Sequence, residues 1–291
     1  MKNKRKHFGD RKDGRRVRGC APMDFLAPYI MVERNDASNL FCDSFDTRAV
    51  DTYINEKRKE GLKHFGLTHV LLASYVRAVS QRPAINRFIS GQKIFARNRI
   101  EVNMIVKKNM AINEPETLIK VIFEPTDTAY DVYEKFNAAY KESFAVEENS
   151  FDNTAKILNR IPGLIKKNMM WFLKTLDYFG WLPTGLTDVS PFHGSLFITS
   201  MGSLGIPPVF HHLYRFGNVP IFMAFGARKS VNELGEDGKI IKKKYLQYTV
   251  VTDERICDGF YYASAFKILK RLLKNPRQLD VPPEKVYEDI D

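Results

Sequence analysis

Asp253-Glu254-Arg255-Ile256-Cys257-Asp258-Gly259-Phe260 is a short, charge-rich run between two ordered-looking stretches. Before it, Lys244 to Thr252 is rich in Tyr, Val and Thr, the residues that fit a pleated strand. After it, apolar residues return at helical spacing from Gly259 to about Lys274. The run therefore reads as a strand-to-helix turn.

Working outward, two strands are expected at Ser195–Ser200 and Pro220–Arg228, with Asp237-Gly238 as the hairpin turn leading into the 244–252 strand. Leu40 to Asp46 reads as a strand entering a helix capped at Asp46 or Thr47 that ends at Gly61. Leu67, Val70, Leu71, Tyr75, Val76 and Val79 mark a second helix, stopped by Pro83. Ile85 to Phe95 reads as a hairpin around Ser90-Gly91, and Ile100–Val106 and Thr117–Phe123 as strands. A helix capped at Thr126 or Asp127 runs to about Phe144. Strands and helices mix without strict alternation, which predicts an α+β fold with a mixed, largely antiparallel sheet flanked by helices. No Gly-rich phosphate loop follows any strand, which argues against kinase and dehydrogenase chemistry.

The chain has 291 residues and a formal net charge of +11. Residues 1–20 alone hold nine Lys/Arg against two Asp, so this arm carries +7 and residues 21–291 only +4. The arm reads either as a solvated tail or as a segment docked on the body or on a polyanion, and 21–291 as one domain. A body at +4 does not select nucleic acid as a partner. Cys20, Cys42 and Cys257 form no CxxC or metal spacing. That predicts a reducing compartment and no metal site. With no signal peptide or long apolar run, a cytoplasmic location is expected. Residues 157–182 are unusually apolar, including Ile157, Leu158, Trp171, Phe172, Phe179 and Trp181. They read as two helices, buried or facing another subunit, or as a surface for lipid or a lid over an apolar ligand.

Asp253, Arg255, Asp258 and Gly259 also fit a family pattern. The run resembles the HxxxDG signature of the chloramphenicol acetyltransferase superfamily, which includes the catalytic domains of dihydrolipoyl acyltransferases, where it reads DHRxxDG. Leu196-Phe197-Ile198-Thr199-Ser200-Met201-Gly202 resembles that family's FTISNLG strand, and Val219 to Gly226 its PPQVAILAVG strand. With these motifs in order, the resemblance spans most of residues 30–275. No lipoyl or subunit-binding region is seen ahead of it, so a conventional complex-borne acyltransferase is not expected.

The resemblance implies acyl transfer between coenzyme A and a small-molecule hydroxyl, amine or thiol acceptor, in a tunnel at the interfaces of a homotrimer. It implies Thr199 as oxyanion donor, with Ser200 as the neighbouring alternative, and Asp258 as a structural acid paired with Arg34; Arg18 is a poorer partner. Lys243, Lys244, Arg228 and Lys229 are candidates for the coenzyme phosphates or are simply solvated strand residues. At the position of the family's catalytic His stands Glu254. Three readings stay open: a pseudoenzyme that keeps a pocket for an acyl or aromatic ligand, Glu254 as a base raised by burial, or a relocated base among His193, His211 and His212. The His211-His212 pair is the better of these, and Cys257 reads as a packed small residue.

Overall fold

A computed structural model describes residues 7–107, 116–145 and 159–290. Six strands form the main sheet: β2 (Ser38–Asp46), β5 (Ile100–Lys107), β6 (Glu116–Phe123), β7 (Leu196–Ser200), β8 (Ile221–Leu234) and β9 (Ile240–Asp253). Their spatial order is β2-β9-β8-β7-β5-β6. β7 runs parallel to both neighbours and every other pairing is antiparallel. The expected α+β class with a mixed sheet is what the chain adopts. A small antiparallel sheet, β1 (Gly14–Arg16), β4 (Lys93–Arg97) and β3 (Arg87–Ser90), lies in the order β1-β4-β3.

The helices are α1 (Pro22–Ile30), α2 (Arg48–Lys59), α3 (Leu67–Gln81), α4 (Ala129–Ala145), α5 (Gly163–Phe179), α6 (Thr184–Val189) and α7 (Gly259–Lys274). The α4 cap is Thr128, two residues or fewer from the expected positions. Its hydroxyl and backbone N–H both donate to the Asp131 carboxylate.

Strand periodicity splits the sheet into two faces. Leu196 and Ile198, Ile221, Met223 and Phe225, and Leu246, Tyr248 and Val250 join α3 and α7 in the main core. The alternate residues Phe197, Phe222 and Val251 point the other way and form a second cluster with Leu213 and Val219. Side chains two apart on a strand share a face, so each strand feeds both layers. α3 is the central helix: Val70, Leu71, Leu72, Tyr75, Val76 and Val79 are all buried.

His69 begins that helix. Its Nδ1 accepts from the Gly66 N–H at 3.0 Å, and its ring stacks on Phe65 with Phe136 edge-on. Burial pushes its pKa down to about 4. The folded value lies below the unfolded one near 6.5, so this stability is complete above pH 6.5 and is lost as pH falls toward 4. Linkage puts the loss at about 3 kcal/mol by pH 4. His69→Gln removes that slope in urea titrations between pH 7 and pH 4.

The basic arm is docked rather than solvated along its described part. β1 pairs with β4, Val17 is buried, and Arg11 donates to the Asp177 carbonyl at 2.7 Å. Residues 1–6 of the arm, and Ile157 and Leu158 of the apolar segment, lie outside the described residues. From 159 onward that segment holds α5, with α6 starting beyond its end at Thr184, and both Trp171 and Trp181 are exposed, so it is not buried within its own chain. Among the described residues no helix is long and apolar enough to cross a membrane.

Candidate active site

The 253–259 turn is locked by everything except its glutamate. Arg255 donates from Nε and an Nη to the two oxygens of Asp253, at 2.8 and 2.7 Å, with both side chains nearly inaccessible. The other Nη of Arg255 donates to the carbonyls of Met31 and Val32. Tyr262 Oη donates to the Asp253 carbonyl. Asp258 caps α7 by accepting from the Tyr261 N–H at 2.7 Å. Glu254 uses its backbone N–H on Ala37 and leaves its carboxylate exposed. The turn is thus a rigid mount for one outward carboxylate, which has no burial inside its own chain.

The expected Arg34–Asp258 pair does not form. Arg34 is fully buried and donates to the carbonyls of Val219 and Gly217. Burial lowers its pKa to about 10, and its nearest compensating charge is Asp253 rather than Asp258. Arg18 pairs with Asp10. Asp258 is a capping residue, because the side chain before a helix satisfies backbone N–H groups that nothing else reaches.

Thr199 is half-buried near the end of β7, level with Ala224 on β8 and Thr249 on β9. It shares the face of Phe197, whereas Ser200 faces the helix side. The Thr199 row and Glu254 do not meet within one chain. Glu254 follows Thr249 by five residues, about 17 Å along the sheet.

The segment after β7 folds back over the Thr199 face. Thr249 Oγ1 donates to the Val209 carbonyl at 2.6 Å. Gly226 permits this approach: a Cβ there would stand 2.5 Å from Pro208 Cδ and 2.8 Å from its nitrogen. The loop lays the His211 imidazole flat on Phe222, with centroids 3.9 Å apart and planes 7° apart. Phe222 sits one ladder row from Ala224, so His211 and Thr199 occupy adjacent rows of one face. His211 Nδ1 lies 2.9 Å from the His212 carbonyl. A carbonyl only accepts, so Nδ1 carries the proton and Nε2 keeps its lone pair in the neutral ring. Burial lowers the His211 pKa below 6.5, which favours that neutral form.

The other candidates separate. His193 is buried, with Nδ1 on Ser190 Oγ and Nε2 3.7 Å from Asp177, a structural position. His212 is exposed and stacks on His211. Burial pushes the Cys257 thiol far above its usual range, so it is a packed residue. Arg228 is paired with Asp51 and Lys243 with Glu233, each at 2.6 Å. Lys229 and Lys244 make no ion pair among the described residues. Lys244, Arg228 and Arg58 line a cleft of about 410 Å³ with Asp51, Ile54, Asn55 and Leu67. Arg58 had no motif to announce it, since only the packing of α2 against the β8–β9 ribbon brings it there. Among the described residues no group of His, Cys, Asp or Glu is placed to hold a metal.

This architecture is similar to solved acyltransferases. A probable dihydrolipoamide acetyltransferase from Listeria monocytogenes 4b F2365 aligns over 93% of this chain and 99% of its own, at TM-score 0.53 and 12% identity. A dihydrolipoamide acetyltransferase of Azotobacter vinelandii aligns over 88% of both chains, at TM-score 0.53 and 11% identity. The cubic core of the pyruvate dehydrogenase multienzyme complex gives TM-score 0.53 at 13% identity over 90% of this chain. A scan against protein-family models and a search of curated proteins find no match. The chain therefore has the fold of the dihydrolipoamide acetyltransferase catalytic domains, the superfamily its three motifs resemble.

Proposed function

We propose that the protein is a coenzyme A-dependent acyltransferase, acting in a homotrimer at sites completed between subunits. The observation that carries this reading is His211: a neutral imidazole, with Nε2 free, held on the same sheet face as Thr199. His211 takes the role that the family gives to the position of Glu254. Nε2 accepts the proton of a hydroxyl, amine or thiol as that group attacks the thioester carbonyl. Thr199 Oγ1 donates to the oxyanion of the tetrahedral intermediate. Collapse expels coenzyme A as its thiolate, which takes the proton back from the imidazolium.

Glu254 belongs to this site only if a neighbouring subunit supplies it, because about 17 Å of sheet separates it from the Thr199 row of its own chain. Brought opposite His211, its charge favours the imidazolium. Leu40, Leu204, Ile206, Val209 and Phe210 are exposed on β2 and the covering loop, leaving apolar surface for another copy. The cleft of Arg58, Arg228 and Lys244 carries three cations against Asp51 and suits the coenzyme phosphates.

The test is release of free coenzyme A thiol from acyl-CoA, measured across a panel of alcohols, amines and thiols. Thr199→Ala is expected to lower kcat about 10²–10³-fold, the usual cost of removing one oxyanion donor. Unchanged turnover in that variant contradicts the assignment. A second reading, ligand binding without turnover, is favoured by the carboxylate standing in the family's histidine position. It predicts thermal stabilisation by acyl-CoA without thiol release.

A further inference from the structure

We infer that α5 is a docking surface for an anionic phospholipid membrane. Helices normally turn one apolar face inward. α5 has two. Met169, Met170, Leu173 and Leu176 pack partly inward, and Asp177 is buried. Leu164, Ile165, Trp171, Phe172, Tyr178 and Phe179 point outward with 48–73% of their surface accessible. At 100° per residue these six span an arc of roughly 140°, which they share with the polar Asn168 and Thr175. Trp181 extends it past the helix end, stacked on Phe179 at 4.9 Å.

The stripe belongs to a fixed element. Arg11 donates to the carbonyl and carboxylate of Asp177, and Tyr178 Oη donates to Gln92. The same contacts bring the basic arm to the C-terminal end of the helix.

Charge selects the occupant. Lys167 and Lys174 border one edge of the stripe and make no ion pair among the described residues. The only acid in α5 is Asp177, buried and held by Arg11. A second copy of this face would bring lysines against lysines with no acid to neutralise them. An anionic lipid surface instead offers headgroups to the lysines and an interfacial layer to the Trp, Tyr and Phe rings. Seventeen residues make a helix of about 25 Å that lies in the surface plane rather than spanning it.

The chain has two tryptophans, Trp171 and Trp181, and both lie on this surface, so their emission reports on it alone. The full-length protein is titrated with vesicles of phosphatidylcholine alone and of phosphatidylcholine with phosphatidylglycerol. A blue shift and co-sedimentation with the anionic vesicles, lost at high salt, is the expected result. Lys167→Gln with Lys174→Gln weakens binding about 25-fold, at about 1 kcal/mol per cation converted to affinity. Leu164→Glu with Phe172→Glu abolishes the shift while circular dichroism stays native. The inference is overturned by no shift, by equal and salt-insensitive binding to neutral vesicles, or by a shift on concentrating the protein without vesicles.

Discussion

Replacing His211 with Ala lowers kcat for acyl transfer by about 10²–10⁴-fold, the range a positioned general base contributes. The exposed half of the ring and its partner on Phe222 make the substitution tolerable for folding, so the protein stays native by circular dichroism. The pH profile separates a base from a packing residue. Burial lowers the His211 pKa from 6.5, so the neutral form persists as pH drops to 6.5. Wild-type kcat/KM falls on the acid side as the ring takes up a proton, and the residual activity of His211→Ala lacks that limb. An acid limb that survives the substitution would assign the base elsewhere.

Arg255→Ala destabilises the fold by about 3–5 kcal/mol, because it strips the buried Asp253 carboxylate of its two-pronged partner and leaves it only a backbone N–H and the charge of Arg34. Asp253 is 1% exposed and accepts from that guanidinium on both oxygens, with the Arg255 backbone N–H adding a longer bond to one of them. The loss corresponds to a Tm drop on the order of 10 °C. Arg255→Lys recovers little, since an ammonium cannot reproduce the two-pronged contact or also reach the Met31 and Val32 carbonyls. Replacing both partners, Asp253→Asn with Arg255→Met, costs less than Arg255→Ala alone, which double-mutant melts in urea would show. Equal losses would mean that the pair does not hold the turn.

The order of motifs made the fold legible, and the reason is local. Alternation in Leu196 to Ser200 and in Ile221 to Phe225 carries both layers of the core, so pattern and topology agree. Turn chemistry at Ser90-Gly91 and Asp237-Gly238 fixed the hairpins, although β8 and β9 run on well beyond the expected ends. The extra residues are mostly exposed, Val231, Leu234, Ile240 and Ile241 included, and a ribbon that buries neither face need not show the alternation that marks a half-buried strand. The site was less legible because its contacts are long-range. Nothing local in Arg34 says that it seats the 217–219 loop instead of Asp258, since that depends on which carbonyls the loop turns inward. Likewise His211 stood as half of the favoured His211-His212 pair, with nothing local to single it out from its neighbour. Its significance comes from Phe222, eleven residues on, and from Gly226, which lets the loop reach the sheet.

The composite site is tested most directly by mixing two inactive chains. One carries Thr199→Ala with His211→Ala, the other Glu254→Arg, which sets a cation against the imidazolium. Each alone is expected to be inactive. Unfolded together and refolded at equal amounts, they regain about one quarter of wild-type turnover, because random assembly into closed rings gives that share of interfaces with both intact halves. No recovery from a mixture that does form trimers would place the chemistry within a single chain and contradict the account.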